Sequence, residues 1–400
     1  MVADPEIFAD TGSIVNIFQL FKAEFRAIFT NLALLLTVFG GVLLYSFLYP
    51  LPYASQVPRE QQVVVVNLDK SQLSRHLVRM VDATPQVRIH CEAHSLAQAK
   101  EQMISQKLAG ILVVPENFYQ DLLLGRRPTL SFAGDASYFL VFGTVLEGMS
   151  MASMTLAAQV KVSQLLMAGQ PMALAQQQHT GVTLGLHALF NETGGYINYV
   201  IPAVFVLILH QTLIMGMGIL GGSENELFLE GKTPHWQTAS PLALLLVRST
   251  IFFIIYTLLS LYYYGPAFVF YDIPRLAAMG DLALLNLFFL LPVSFLGICL
   301  GTILPRRELA TLIVLLSSMP LVFASGFVWP TSAIPMPINT LMQLIPAVPA
   351  IKAFILLNQM GADFHQILPQ VIHLMLLGAL YGTSAFFLLR RRKNLCAVSR

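Results

Sequence analysis

Long apolar runs alternate with short polar breaks along most of this chain, and one large polar interruption follows the first run. The runs cover residues 28–49, 197–222, 242–270, 282–304, 309–329 and 368–389. Each is close to or above the ~20 residues that carry a helix across a bilayer. Lipid offers a backbone no hydrogen-bond partners, so a spanning segment must bond within itself. The runs therefore predict six transmembrane helices. Residues 330–367 contain Pro330, Pro335, Pro337, Pro346 and Pro349, and prolines break helices. A single crossing is excluded there, and the apolar residues between the prolines predict a re-entrant or interfacial segment on the outer side.

The insert, residues 50–195, has the texture of a soluble domain. Apolar strands are predicted over 62–69, 87–93, 109–115 and 128–135. Helical spacing covers 71–82 and 95–106, each opened by a serine that can cap the first turn, and 117–125, closed by Gly125. Strands alternating with helices predict a small α/β layer. From 138 to 178 the pattern is a long helix rich in Met, Ala and Gln. Its small residues Gly148, Ala152, Ala157 and Ala158 suit either intramolecular packing or a partner helix. The fold class is thus an α-helical polytopic membrane protein with an inserted α/β extracytoplasmic domain.

Basic residues orient the spans. Lys22, Arg26, Lys232, Arg248, Arg306, Arg307 and the tail Arg390–Lys393 share one side if there are six crossings. Both termini, 1–27 and 390–400, are then expected in the cytoplasm and the insert outside, as in a bacterial inner membrane. Acidic residues near the start (Asp4, Glu6, Asp10) argue against a secretory signal. Residues 14–29 mix apolar positions with Lys22, Glu24 and Arg26, which predicts an amphipathic helix on the membrane surface or, as the plain alternative, an early start of the first span.

Composition narrows the function. Only 11% of residues are charged and 56% are hydrophobic, and a net charge of +2 gives no reason to expect nucleic-acid binding. Cys91, Cys299 and Cys396 fall in different predicted compartments, so no disulfide or metal site is expected. Gly216, Gly218 and Gly221 match G-x-G-x-x-G, but they sit inside a predicted span, where small residues serve helix packing. Gly231-Lys232-Thr233 resembles the end of a phosphate loop, yet Glu226 stands where its first glycine should be. The chain therefore has no expected nucleotide site or other cofactor of its own.

Four segments resemble the ABC-2 type transporter permeases that carry a large insert between spans one and two. They are VVVVNLDKSQLSRHL, LAGILVVPENFYQDLLLGRRPTL, GSENELFLEGKTPHWQTASP and SGFVWPTSAIPMPINTLMQLIPAVPAIKAF. The loop departs from the family pattern: Ser223-Glu224-Asn225-Glu226 lacks an adjacent arginine, and Lys232 interrupts the Gly-Thr. The resemblance implies a permease with a second copy or a sister permease and cytosolic ABC ATPase subunits that bind ATP and Mg. It implies an exporter, at times assisted by a periplasmic adaptor. Spans nearly free of charge suit an amphipathic or lipid-like substrate among membrane lipids.

Three residue groups carry the expected roles. Glu224, Glu226, Glu230 and Lys232 of the loop 223–241, with Lys22, Glu24 and Arg26, are expected to form the ATPase docking surface. A solvated loop is the plain alternative. His210 and Gln211, mid-span, are either pathway residues or interhelical hydrogen-bonders. Arg248 needs only to snorkel. In the resembled family the segment after span five closes the outer end of the pathway, which makes Phe327, Trp329, Pro330, Pro335, Pro337 and Pro346 outer-gate candidates. The competing functions are a membrane-anchored receptor or assembly protein, whose external domain binds a partner, and a membrane enzyme, for which only the scattered Asp272, Asp281 and Asp363 are candidates.

Overall fold

A computed structural model describes residues 17–54, 57–178, 189–191 and 195–398. The expected features of residues 1–16 lie outside the described residues. The chain divides into two compact units, Ser55–Ala188 and the remainder.

The chain opens with α1 (Ile17–Thr30), whose apolar stripe buries Leu20 and Ile28. Asn31 then accepts backbone N–H bonds from Ala33 and Leu34 and restarts the helix as α2 (Leu32–Leu35). A wide π turn at Leu36–Gly40 leads into α3 (Gly41–Leu48), and the span as a whole covers Leu32–Tyr53. The apolar run predicted from residue 28 is therefore divided by the Asn31 cap.

The Ser55–Ala188 unit holds a four-stranded sheet in the order β2-β1-β3-β4. Its elements in chain order are β1 (Gln61–Asn67), α4 (Gln72–Asp82), β2 (Val87–Glu92), α5 (Leu96–Ser105), β3 (Gly110–Val114), α6 (Phe118–Leu123), β4 (Ser131–Gly134), α7 (Phe139–Met167) and α8 (Met172–Gln178). β1 runs parallel to both neighbours, and β4 is antiparallel to β3. The central strand is buried on both faces, hence the unbroken Val63–Val66. Ser71 and Ser95 accept N–H bonds from Ser74 and Gln98 and cap α4 and α5. Gly148 of α7 lies where a Cβ would meet Thr84, Gln86 and Val87 at about 3 Å, so this small residue serves packing within the unit.

In the other unit, α9 (Ile197–Leu229) is almost entirely enclosed by its neighbours. After α10 (His235–Thr238), α11 (Pro241–Tyr262) continues through a π turn into α12 (Phe268–Phe270). Then come α13 (Met279–Ile303), α14 (Glu308–Ala324), α15 (Met336–Met342), α16 (Ala347–Phe354) and α17 (Leu368–Val398). Three glycines let three neighbours approach α9. An added Cβ at Gly216 would lie 2.9 Å from Val38, at Gly218 2.6 Å from Ala310, and at Gly221 2.6 Å from the Gly301 carbonyl oxygen. These glycines serve helix packing, as their place in a span predicts.

Two expectations about the spans need correction. α14 has 17 residues, about 25 Å at 1.5 Å per residue, and so falls short of a full ~30 Å crossing. The apolar run continues to Trp329, but Gly326, at φ +88°, turns the chain. Conversely, α7 is long and apolar enough to qualify as a span by length and composition, although one of its faces packs in the sheet unit. Six described helices meet those criteria; α7 is among them and α14 is not.

α15 and the helix Ala347–Gln359 are apolar and bent by 87° at their junction, the geometry of a broken span or re-entrant loop. Pro330, Pro335 and Pro346 stand at the N-caps of short helices and Pro337 in a first turn, where a missing N–H costs nothing. Phe327 is buried and Trp329 exposed. Tyr263 and Tyr264 are buried, and Tyr263 donates its hydroxyl to the Val42 carbonyl at 2.8 Å.

A buried charge cluster as candidate functional site

One end of the helical unit gathers most of the charged residues singled out above. Glu24 faces inward from α1 and Glu224 from the last turns of α9, while Arg248 projects from α11 and His235 opens α10. Glu24 is wholly inaccessible, and Glu224 and Arg248 are 5% and 4% exposed. Arg248 donates through Nε to Glu24 Oε2 at 2.9 Å and through Nη2 to Oε1 at 2.7 Å. The same Nη2 lies 3.0 Å from Glu224 Oε2. His235 Nδ1 donates to Glu24 Oε1 at 2.9 Å and is 3.6 Å from Glu224 Oε1.

Two carboxylates face one guanidinium and one imidazole, so the group is neutral when His235 is protonated. Burial alone would raise the Glu24 carboxyl, but Arg248 and His235 outweigh it and hold the group at about 2. Burial pulls the His235 imidazole down; the hydrogen bond and charge of Glu24, then the charge of Glu224, carry it above its ordinary value. Glu24, Glu224 and His235 each offer an oxygen or nitrogen within 4.8 Å of the others, a spacing a metal ion could use. Arg248 occupies that space and already pairs with both carboxylates, so a cation would meet a fixed positive charge.

α10 is the hub of this end. Trp236 is buried, packs edge-on against Phe228 of α9, and lies under the Arg392 guanidinium of α17 at 4.1 Å. Lys393 Nζ donates to the Ala239 carbonyl at 2.8 Å. Nearby, Asn225 donates to carbonyls at the end of α13, and Glu226 accepts the Arg307 backbone N–H at 3.0 Å where α14 begins. Arg248, Arg307, Arg392 and Lys393, which charge distribution predicts on one side, are thus interlinked at one end.

The predicted docking set divides. Lys22 and Arg26 are exposed on α1, and Glu230 and Lys232 are exposed and paired to each other at 2.7 Å. Glu24 and Glu224 are not surface residues; burial and the bond to Arg248 remove them from contact with any partner. Nor is 223–241 one loop, since α9 continues to Leu229 and Gly231, at φ +79°, turns the chain. Arg248 does not snorkel, because its guanidinium is held inside by two carboxylates. His235 and Trp236 were missed. In sequence they stand only as an aromatic pair within the polar stretch 231–240.

The mid-span candidates separate as well. Gln211 donates to Ser318 Oγ of α14 at 2.9 Å, an interhelical bond. Buried His210 has no hydrogen-bond partner on either ring nitrogen among the described residues. Asn286 of α13 accepts from Ser260 Oγ of α11 at 3.0 Å.

A bundle of apolar helices with a charged cluster closed at one end defines a helical multi-pass membrane protein. The model of a family described as ABC-2 family transporter protein matches residues 32–387. The chain belongs to that family. Membership makes it a membrane component of an ABC transporter rather than a catalytic subunit, and implies association with a separate ABC ATPase. Among curated proteins no match is found.

Proposed function

We propose that this chain is the permease of an ABC exporter that moves an amphipathic or lipid-like substrate, driven by ATP bound and hydrolysed on cytosolic partner subunits. It acts as two permease copies, or with a sister permease, in a bacterial inner membrane, both termini cytoplasmic. A periplasmic adaptor is compatible with the extracytoplasmic insert. The observation that carries this reading is the hub at α10: His235 and Trp236 bind α1, α9 and α17 into one block, and Arg248 joins α11 to it through Glu24 and Glu224. Force applied there by a partner reaches several spans at once.

Lys22, Arg26, Glu230 and Lys232 are exposed charges beside the block and form the ATPase contact. The apolar substrate class is supported by the spans themselves, since Gln211, Ser260 and Asn286 are engaged in interhelical bonds. His210 is the pathway residue that remains. The segment of α15 and α16, with Trp329 and the capping prolines, forms the outer gate.

The test is affinity purification from native membranes of the wild type and of Lys22→Glu/Arg26→Glu/Glu230→Lys. The variant should insert normally and retain several-fold less ATPase subunit. Unchanged retention of the subunit would remove the docking assignment. A receptor or assembly protein would retain no ATPase in either form.

A further inference from the structure

We propose that α7 is a self-association surface, on which two copies of this chain pair antiparallel about a two-fold axis at Met154. The proposal rests on the two-copy reading above and assigns one contact to it. Val145, Met149, Ala152 and Leu156 occupy one face of α7 and fill the core beside the sheet. The opposite face is not packed within the chain: Met151 is 56% and Met154 74% exposed, in a stripe that is apolar between Glu147 and Lys161 apart from Ser150. Apolar faces of this kind mark interaction sites.

The charges say what covers it. α7 carries only two, Glu147 and Lys161, opposite in sign, both exposed and with no ion-pair partner among the described residues. They stand two heptads apart on the stripe that includes Met154, which lies midway between them. A two-fold axis at Met154 brings each Glu147 against the Lys161 of the other copy, twice per pair. The same axis sets Met151 opposite Ala157 and Gly143 opposite Leu165, large against small, as interdigitated helices require. A parallel pair would set Glu147 against Glu147 and Lys161 against Lys161, which like-charge repulsion disfavours.

The experiment uses the full chain in native membranes, with Cys91, Cys299 and Cys396 replaced by alanine. Oxidation of Met154→Cys should yield a disulfide-linked dimer, and Leu140→Cys, far from the axis, should yield several-fold less. Glu147→Lys should lower the Met154→Cys yield several-fold, and Glu147→Lys/Lys161→Glu should restore it. Native mass measured in parallel separates the two levels. A dimer with no cross-link at Met154, or with equal yields at 140 and 154, overturns the proposal and leaves the two-copy reading standing. A monomer overturns both.

Discussion

Arg248 and Glu24, 224 residues apart in sequence, meet through two hydrogen bonds of 2.9 and 2.7 Å at a site closed to solvent. The bond ties α1 to α11, and Glu224 extends the tie to α9. A buried pair stabilises little against well-packed apolar residues, but removing one partner strands the other.

Arg248→Leu should therefore destabilise the detergent-solubilised protein by about 3–5 kcal/mol, because it leaves two buried carboxylates. Glu24→Gln should cost less, since Glu224 still neutralises Arg248. Thermal unfolding of the two variants checks the order. Equal and negligible shifts would contradict the tie.

His235 makes the block sensitive to pH. Its pKa is raised on folding, so its contribution is full below the ordinary imidazole value of about 6.5 and is lost as pH rises through the folded value. The groups facing it are Glu24 of α1, Glu224 of α9 and Arg248 of α11; Arg392 and Lys393 of α17 meet α10 at Trp236 and Ala239. Only two tryptophans are present, so Trp329→Phe leaves Trp236 as the reporter. Its emission should shift to the red as pH rises through the raised His235 value, and His235→Gln should abolish the titration. Glu24 works in the opposite sense: its contribution is held above about 4.3 and lost as pH falls toward about 2.

The glycines of α9 should differ in tolerance. At Gly221 a methyl group would meet backbone, the Gly301 carbonyl, at 2.6 Å. At Gly216 it meets side chains, Val38 Cγ2 at 2.9 Å and the Phe252 ring at 3.2 Å, which yield more than backbone does. Gly221→Ala should lower the melting temperature clearly more than Gly216→Ala. The reverse order would disprove the α9–α13 approach described above.

Gln211→Leu should cost about 0.6–2 kcal/mol through its lost bond to Ser318. Ser318→Ala should cost a similar amount, and the double variant less than the sum. Additive losses in a double-mutant cycle would mean that the two side chains do not interact.

Much of this architecture can be read along the chain, because its signals are local. Ser71 and Ser95 mark helix starts, the Val63–Val66 run marks a central strand, and apolar runs mark five of the spans. What escaped depends on distant contacts or single backbone turns. A lone arginine near a span end reads as snorkelling unless its partner, 224 residues earlier, is known. Nothing in the run 309–329 announces that Gly326 ends α14 early. Trp236 looks like one aromatic in a polar loop until Arg392 is found above it.

In the proposed function, α10 and its buried charges link a partner ATPase to the spans. Purifying the chain from native membranes as wild type and as Trp236→Ala, and measuring vanadate-sensitive ATP hydrolysis in both eluates, tests this link. A stoichiometric nucleotide-binding subunit with such activity is expected on the wild type, and clear loss of subunit or activity on the variant. A wild-type eluate without any ATPase, or a variant with full activity, would contradict it.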